Sequence, residues 1–311
     1  MCKKEPEQPN SPEQILMLTT EEPSPESTYR YYYAGGIPKA AEGYPNVFSC
    51  EAKAANPFSE SHHEMGFAPE RTLVIAADQE TALRYRRLGY AVILQQEDLT
   101  AAGSVDTELT YVIDYPCDMT DDFFCRCFCR QRVLPVRIAV TERLLLREIT
   151  EEDVPALYDL YEDELSRRFM EPPYPYEEEL AYTRDYIRHQ YGFYDYGLWV
   201  VIDRTSGRLI GRAGISQREI NGEERKELGY ILHRDYRGRG LATEACLAVL
   251  QEAVRLGIDE LFLVTDRANE SSLRLASRLG FSEWGEAGRM RILQRPLSKQ
   301  NSGSEVSLEI F

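Results

Sequence analysis

The sequence has no run of 18 consecutive apolar residues, so we expect no transmembrane helix. Its first residues, Met1 to Pro6, carry no apolar signal-peptide core, and we therefore expect a cytoplasmic protein. Positive charge is scarce, because 36 Lys and Arg stand against 52 Asp and Glu and the formal net charge is −16. This excess of acid argues against binding to nucleic acid or to an anionic membrane, and neither is expected as a partner.

The cysteine pattern favours neither a disulfide framework nor a metal site. Seven cysteines are an odd number, and zinc sites use paired C-x2-C spacings that this sequence lacks. A local group is nevertheless present: Cys117, Cys125, Cys127 and Cys129. We interpret residues 121–131 as a helix with Phe124 and Phe128 on one face, so Cys125 and Cys129 share a side and Cys127 points away. No metal is expected.

The first half of the chain divides into two predicted regions. Residues 1–69 hold nine of the sixteen prolines and little apolar periodicity, which predicts a disordered Pro/Glu-rich tail. Residues 70–138 predict a small Rossmann-like domain, because strand-like 73–78, helical 80–88 and strand-like 90–94 form a parallel βαβ unit.

This domain resembles a reduced haloacid-dehalogenase fold, but only Asp78 stands where that family has an Asp-x-Asp nucleophile. A structural or regulatory module is the favoured interpretation. A polar-ligand site remains open because Asp78 and Asp114 both end strands.

The most informative segment is a glycine-rich turn, Arg237 to Ala242, between a strand-like stretch (227–233) and a helix-like stretch (242–256). Glycines let consecutive backbone N–H groups converge, and a helix start adds the positive end of its dipole. The turn is therefore a candidate pyrophosphate site. A Walker loop needs a Gly-Lys-Ser/Thr ending that is absent, and a Rossmann fingerprint needs a third glycine where Ala242 stands.

The turn resembles the Arg/Gln-x-x-Gly-x-Gly/Ala motif of the GNAT acetyltransferases, with Arg237, Gly240 and Ala242 at the motif positions. Other segments resemble that family in the same order. They are Thr141 to Arg147, which resembles the opening T-E-R-L-x-L-R of the RimJ/RimL-type branch; an antiparallel pair at 199–202 and 209–215; the E-x-G-Y-x-L strand from Glu227; and Asn269-x-x-Ser272 before Gly280-Phe281.

The resemblance covers residues 139–297 and leaves 298–311 as a C-terminal tail. It implies the α/β (α+β) GNAT fold, a mixed and mostly antiparallel sheet flanked by helices, after the parallel βαβ domain and the disordered tail.

The resemblance also implies acetyl-CoA as co-substrate and assigns its contacts. Backbone N–H groups of residues 238–242 would hold the pyrophosphate, with Arg237 and Arg239 adding charge. The central strand would part from its neighbour and pair with the pantetheine arm. The implied cofactor-binding residues are Tyr230, Ile231, Leu232, Arg237, Gly238, Arg239, Gly240, Leu241, Ala242, Asn269 and Ser272.

Two residues are candidates for proton transfer. Glu227, on the opposite strand face from Tyr230, is either the general base or one partner of a salt bridge with Arg212 or Arg225. Many GNAT enzymes carry a tyrosine that acts as general acid seven residues after this Asn, but Ala276 occupies that position here. Ser272 is then the candidate hydrogen-bond donor to the leaving sulfur, with water as its rival and helix-start chemistry as its structural alternative. Tyr230 lines the acceptor site or simply packs.

The predicted activity is transfer of an acetyl group to a primary amine, in a peptide or a small molecule, by direct attack in a ternary complex. Tyr174, Tyr176 and the aromatic run 191–196 indicate either an aromatic-lined acceptor pocket or core packing. The missing tyrosine leaves an alternative open, a GNAT-fold module that holds CoA as a sensor or interaction domain. The acceptor and the oligomeric state do not follow from the sequence.

Overall fold

The computed structural model describes residues 14–18, 30–34, 47–50, 68–96 and 108–297, without the side chains of most residues before 68 or of Cys117. The chain divides into two compact units, residues 1–136 and 137–311. The predicted C-terminal tail at 298–311 lies outside the described residues. Within the described ranges, no helix is both long enough and apolar enough to cross a bilayer.

The first unit contains a six-stranded parallel sheet. Its strands are β1 (Gln14–Leu18), β2 (Arg30–Ala34), β3 (Val47–Cys50), β4 (Thr72–Ala76), β5 (Ala91–Gln95) and β6 (Val112–Ile113). The spatial order is β3-β2-β1-β4-β5-β6, and every pair is parallel. This is an order found in doubly wound sheets.

Two helices cover opposite faces of this sheet. Helix α1 (Gln79–Arg87) connects β4 to β5, which confirms the predicted parallel βαβ unit, and α2 (Asp121–Arg132) follows β6. Alternate strand residues face the two helices: Leu73 and Ile75 pack with Phe124 and Phe128 of α2, whereas Val74 packs on the α1 side. On α2, Cys127 belongs to this core, and the sulfurs of Cys125 and Cys129 lie 3.9 Å apart.

The predicted disordered tail is wrong at three places, because β1, β2 and β3 all lie within residues 1–69. Strand β1 pairs with β4, and Ile15 is buried in the core that α2 covers. Short strands that are buried in a parallel sheet show no alternation of polar and apolar residues. Their stability comes from partners distant in sequence, so local composition does not reveal them.

The second unit contains an eight-stranded sheet in the order β13-β14-β12-β11-β10-β9-β8-β7. Its strands are β7 (Arg137–Val140), β8 (Leu144–Arg147), β9 (Leu198–Asp203), β10 (Leu209–Ile220), β11 (Glu223–Leu232), β12 (Glu260–Asp266), β13 (Ser282–Ala287) and β14 (Met290–Pro296). All neighbours are antiparallel except β11 and β12, which are parallel. This confirms the expected mixed, mostly antiparallel sheet.

Helices lie between these strands. They are α3 (Val154–Asp159), α4 (Glu164–Phe169), α5 (Tyr176–Asp185), a π-helix (Tyr186–Tyr191), α6 (Gly192–Tyr194), α7 (Leu241–Arg255) and α8 (Glu270–Arg278). Helix α7 buries one side, including Ala245, Cys246 and Val249, in the main core of the sheet. The helix predicted over 242–256 is therefore confirmed, within one residue at each end.

Candidate active site

The parallel strands β11 and β12 part from each other in the middle of the sheet. They pair at Glu227 and Phe262. Along the described residues 228–232 and 263–266, the ladder between them does not continue. On its other side, β11 stays fully paired with β10 up to Leu232. Backbone groups of residues 228–232 on the β12 side are therefore available to an extended ligand, as the resemblance implies for Tyr230, Ile231 and Leu232.

The glycine-rich turn joins the end of β11 to α7 in a conformation that favours glycine. Gly238 and Gly240 have φ values of 75° and 78°, in the left-handed region. Gly240 is the N-cap of α7 and supplies no side-chain cap. The N–H groups of Leu241 and Ala242 precede the first intrahelical bond, which Glu244 donates to the carbonyl of Gly240. The turn thus fits an oxyanion, which the helix dipole would also stabilise.

The Arg237 side chain is engaged in hydrogen bonds within the second unit, and its expected contact with the pyrophosphate stays a prediction. Its guanidinium donates two hydrogen bonds of 2.8 Å to the carboxylate of Asp163, one of 2.7 Å to Ser166 Oγ and one of 2.9 Å to the carbonyl of Leu232. These bonds hold the pKa of Asp163 well below its usual range. Arg237 therefore ties the end of β11 to the start of α4, whose N-cap is Asp163.

Arg239 is the arginine of the turn that stays exposed. Its guanidinium lies 5.4 Å from the centroid of the Tyr236 ring, a cation–π contact. The guanidinium charge of Arg239 is therefore exposed to solvent beside the turn. The role predicted for Arg239, to attract an anion, stays a prediction.

A further arginine, Arg143, which the sequence did not single out, stabilises the turn by a hydrogen bond to its backbone. Arg143 donates to the carbonyl of Arg239 at 3.0 Å and forms an ion pair with Glu244 at 2.6 Å. Thr141 also donates to Glu244, at 2.6 Å. These contacts lower the pKa of Glu244, which lies in the first turn of α7, despite its partial burial. The Thr-Glu-Arg segment before β8 thus supports the anion-binding turn.

At the start of α8, Asn269 and Ser272 serve different purposes. The Asn269 side chain is the N-cap, and its Oδ1 accepts from the backbone N–H of Ser272 and from the Ser271 hydroxyl. The Ser272 hydroxyl is instead hydrogen-bonded to the Tyr230 hydroxyl on β11. Burial raises the pKa of Tyr230 to about 12, and the bond to Ser272 acts in the opposite direction.

The Tyr230–Ser272 pair lies on the α7 side of the sheet, next to the buried thiol of Cys246. Ala276, at the position where many GNAT enzymes carry a tyrosine, is fully buried and has no group that could donate a proton. The polar hydroxyls near the parted strands therefore come from β11 and the first turn of α8. Sequence spacing alone did not reveal that Tyr230 and Ser272 meet.

Glu227 projects from the other face of β11, at the point where the strands part. Its Oε1 accepts a hydrogen bond from the Val264 N–H at 3.3 Å, and its Oε2 lies 3.1 Å from Arg218. Burial raises the pKa of Glu227, whereas the Arg218 charge and hydrogen bond lower it. The ion-pair partner is thus Arg218 rather than Arg212 or Arg225, and Arg225 instead pairs with Glu260 and Glu223.

The predicted aromatic residues separate into exposed and buried groups. Tyr191 and Tyr196 are buried in the core, whereas Tyr174, Tyr176 and Phe193 are exposed. Tyr182 and Tyr186, which the sequence did not single out, connect the two groups through ring contacts with Tyr174 and Tyr191. Core packing is therefore confirmed for Tyr191 and Tyr196, whereas an acceptor pocket lined by the exposed residues stays a prediction.

Comparison with known proteins agrees with this fold. The acetyltransferase (GNAT) domain family matches residues 143–282. Spermidine N(1)-acetyltransferase of Escherichia coli K12 is 30% identical over 150 residues, which are 45% of this chain and 74% of that enzyme. The chain therefore belongs to the GNAT acetyltransferase family.

Other relatives lie at a similar distance. The uncharacterized protein YkkB of Bacillus subtilis is 27% identical over 150 residues, 45% of this chain and 83% of its own. A solved acetyltransferase from Agrobacterium tumefaciens C58 is 25% identical, with a TM-score of 0.45, and the match covers 51% of this chain and 94% of that one.

Within the described residues, no cluster of three or more His, Cys, Asp or Glu side chains is placed to hold a metal ion.

Proposed function

We propose that this protein is an acetyl-CoA-dependent N-acetyltransferase of the RimJ/RimL type that acetylates a primary amine. The observation that carries the proposal is the parting of β11 from β12 directly before a left-handed glycine turn and the start of α7. The family to which the chain belongs and the acetyltransferase relative at 30% identity support it. The amine acceptor, a small molecule or a peptide, is the part that family membership leaves open.

The cofactor-binding residues act mainly by positioning. Backbone N–H groups of residues 238–242 bind the pyrophosphate, and Arg239 adds charge at the mouth of the turn. The free side of β11 at Tyr230, Ile231 and Leu232 aligns the pantetheine arm, together with Asn269 and Ser272 at the start of α8. Holding both reactants in place can contribute roughly 7–11 kcal/mol to catalysis.

Glu227 is the proposed general base. Its carboxylate lies at the parting of the strands, where the amine must approach, and burial raises its pKa toward the pH at which a base works best. It removes a proton from the ammonium form of the acceptor, directly or through water. The free amine then attacks the thioester carbonyl, the carbon–sulfur bond breaks, and the nitrogen gives up its extra proton through water to the departing thiolate.

The Tyr230–Ser272 pair stabilises the departing thiolate. A phenol with a pKa of about 12 stays protonated at neutral pH and is less acidic than a typical thiol. The pair therefore donates a hydrogen bond to sulfur, and water provides the proton. Ser272 has a further structural role through its backbone N–H, which the Asn269 cap binds.

The test is mass spectrometry of the full chain incubated with acetyl-CoA and a panel of amines, amino acids and N-terminal peptides. A product heavier by about 42 Da, with release of free CoA that depends on the acceptor, supports the transferase. Bound CoA without acceptor-dependent thiol release would instead support the alternative, a CoA-binding sensor, which the buried Ala276 favours.

A further inference from the structure

An arginine on β10 has no counter-charge within the described part of the chain. Arg212 pairs through its backbone with Val200 of β9 and Ile231 of β11, so it lies next to the parted strand. Its Nε atom is inaccessible to solvent and makes no hydrogen bond within the described residues. Arg212 also takes part in none of the ion pairs observed there. Arg212 is half-buried overall, and a guanidinium that is partly removed from water without an anion is unfavourable, so its presence calls for an explanation.

Tyrosines surround this guanidinium. The electrostatic neighbours of Arg212 are Tyr161, Tyr182, Tyr186 and Tyr191. Burial holds the pKa of both Tyr186 and Tyr191 above the ordinary value, so these phenols stay neutral. They can solvate the cation with their oxygens and ring faces, but they cannot neutralise it.

Two buried carboxyls adjoin these tyrosines: Glu179 of α5, which contributes to raising the pKa of Tyr182, and Glu148, which follows β8. Glu148 is close enough to Tyr186 and Tyr191 to contribute to raising the pKa of each. It makes no ion pair with Arg212 in the structure. Glu148 therefore belongs to the surroundings of the tyrosines rather than to an ion pair with Arg212.

The backbone that presents the tyrosines is irregular. Tyr186 and Tyr191 lie at the two ends of the π-helix, a conformation that often occurs at functional sites. The Tyr186 hydroxyl accepts from the Leu198 N–H at 2.7 Å, and the Tyr191 hydroxyl donates to the Leu198 carbonyl at 2.7 Å. A Cβ on Gly197 would approach the Tyr186 hydroxyl to 2.6 Å, so this position requires glycine. The packing fixes both rings against β9.

A row of rings leads from the surface to this place. The ring centroids of Tyr174 and Tyr182 are 5.6 Å apart, those of Tyr182 and Tyr186 5.8 Å, and those of Tyr186 and Tyr191 5.2 Å. Tyr174 is 55% exposed, whereas Tyr191 is fully buried. The tyrosine row therefore forms one continuous aromatic wall between solvent and the neighbourhood of Arg212.

Arg212 and Glu227 project from the same face of the sheet. Arg212 is opposite Ile231, which lies four residues beyond Glu227 on β11, a distance of about 13 Å along the strand. Side chains four residues apart on a strand share a face. The proposed base and the uncompensated cation thus border the same region, on the side of the sheet that carries the tyrosine row.

We propose that Arg212 binds a carboxylate of the acceptor, so that the acetylated amine belongs to a small amino acid-like molecule. The inference rests on the proposed acetyl transfer and specifies its acceptor. A planar guanidinium matches a carboxylate through two parallel hydrogen bonds, and the neutral tyrosines leave that position to the ligand. The carboxylate neutralises Arg212 on binding and holds the amine on the side of the sheet where Glu227 lies.

The experiment compares acceptors that differ only in the carboxylate. The full chain is assayed with acetyl-CoA and matched pairs of an amino acid and its decarboxylated amine: lysine with cadaverine, arginine with agmatine and tyrosine with tyramine. For at least one pair, kcat/KM should be about 30-fold or more higher for the amino acid. Arg212→Met should reduce that ratio to near one, whereas Arg212→Lys, which keeps a charge, should retain part of it.

Controls separate this role from a structural one. Arg208→Met removes an exposed arginine just before β10 and should leave the ratio unchanged. Glu148→Gln should also leave it unchanged. Because Arg212 is an uncompensated cation, Arg212→Met should keep or raise the unfolding temperature. CoA affinity measured by isothermal titration should stay as in the wild type.

Three outcomes would overturn the proposal: amines that are as good as the amino acids, an equal loss for both members of a pair in Arg212→Met, or a large fall in unfolding temperature. If no acceptor is acetylated, the transferase proposal fails separately. Calorimetric titration of the amino acids into the CoA complex then decides the carboxylate site. Binding that Arg212→Met abolishes supports it, and absence of binding to the wild type refutes it.

Discussion

The contact between Arg237 and Asp163 yields a sharp prediction, because the sequence motif and the structure assign this arginine different roles. If Arg237 bound the pyrophosphate through its charge, Arg237→Gln would weaken CoA binding and Asp163→Asn would leave it unchanged or strengthen it. If Arg237 anchors the turn to α4, as the structure shows, both substitutions should destabilise the domain, and their effects should not add.

The size of the effect follows from the geometry. Asp163 loses two hydrogen bonds of 2.8 Å to a charged partner when Arg237 is replaced. The side chains are 29% and 14% exposed, so the pair lies between a surface pair and a buried one. Surface pairs contribute about 0–1 kcal/mol and disruption of buried ones costs about 3–5 kcal/mol, and we therefore expect a loss of about 2–3 kcal/mol. For a domain of this size this corresponds to about 4–12 °C in the unfolding temperature.

The assay is thermal and urea unfolding of Arg237→Gln, Asp163→Asn and the double variant, followed through the transition of the second unit. Asparagine can still cap α4, so Asp163→Asn mainly removes the charge. The coupling energy should be about 2 kcal/mol. Arg239→Gln, which removes an exposed arginine of the same turn, should leave stability within about 0.5 kcal/mol of the wild type.

The pH dependence adds a second readout. Because Arg237 and Ser166 lower the pKa of Asp163 in the folded state, the pair stabilises the fold above the unfolded pKa of about 4. This stabilisation is lost as the pH falls below that value toward the folded pKa. Additive effects of the two substitutions, or unchanged stability with weaker CoA binding in Arg237→Gln alone, would refute the anchoring role.

Three further predictions concern the proposed site. Gly240→Glu should abolish CoA binding in isothermal titration, because it places a side chain and a negative charge at a backbone φ of 78°; unchanged affinity would show that the turn is not the cradle. Glu227→Gln should lower kcat about 10²–10⁴-fold. In the wild type, the rate should fall on the acidic side with a midpoint above the usual pKa of a glutamate, because burial raises the pKa of Glu227. Glu227→Gln should remove this acidic limb of the pH–rate profile. A limb that persists would exclude Glu227 as the base. Tyr230→Phe and Ser272→Ala should each lower kcat more than they raise KM. An acetyl thioester whose thiol is more acidic than that of CoA should restore part of the rate in these variants. Equal losses with this thioester and with acetyl-CoA would contradict a role at sulfur.

Much of the second unit could be predicted from the sequence, because its signals are local. The turn from Arg237 to Ala242, the apolar period of α7 and the Asn-x-x-Ser start of α8 each lie within a few residues. The helix at 121–131 was likewise correct, since its phenylalanines and cysteines follow a helical period that the core uses. In such segments backbone chemistry and the pattern of apolar residues determine the structure before any tertiary contact forms.

The tertiary structure alone decided how distant side chains meet. Arg237 and Asp163 are 74 residues apart, and no local pattern shows that the motif arginine is already paired. The same holds for Tyr230 with Ser272, for Arg212 among its tyrosines, and for the strands β1 to β3 that join β4 in one sheet. Sequence thus determined which segment of backbone could form an anion-binding turn. Packing determined which side-chain charges remained unpaired near that turn. The reason is that one charge neutralises another only when the two are close, and only the folded chain sets the distances between residues that are far apart in sequence.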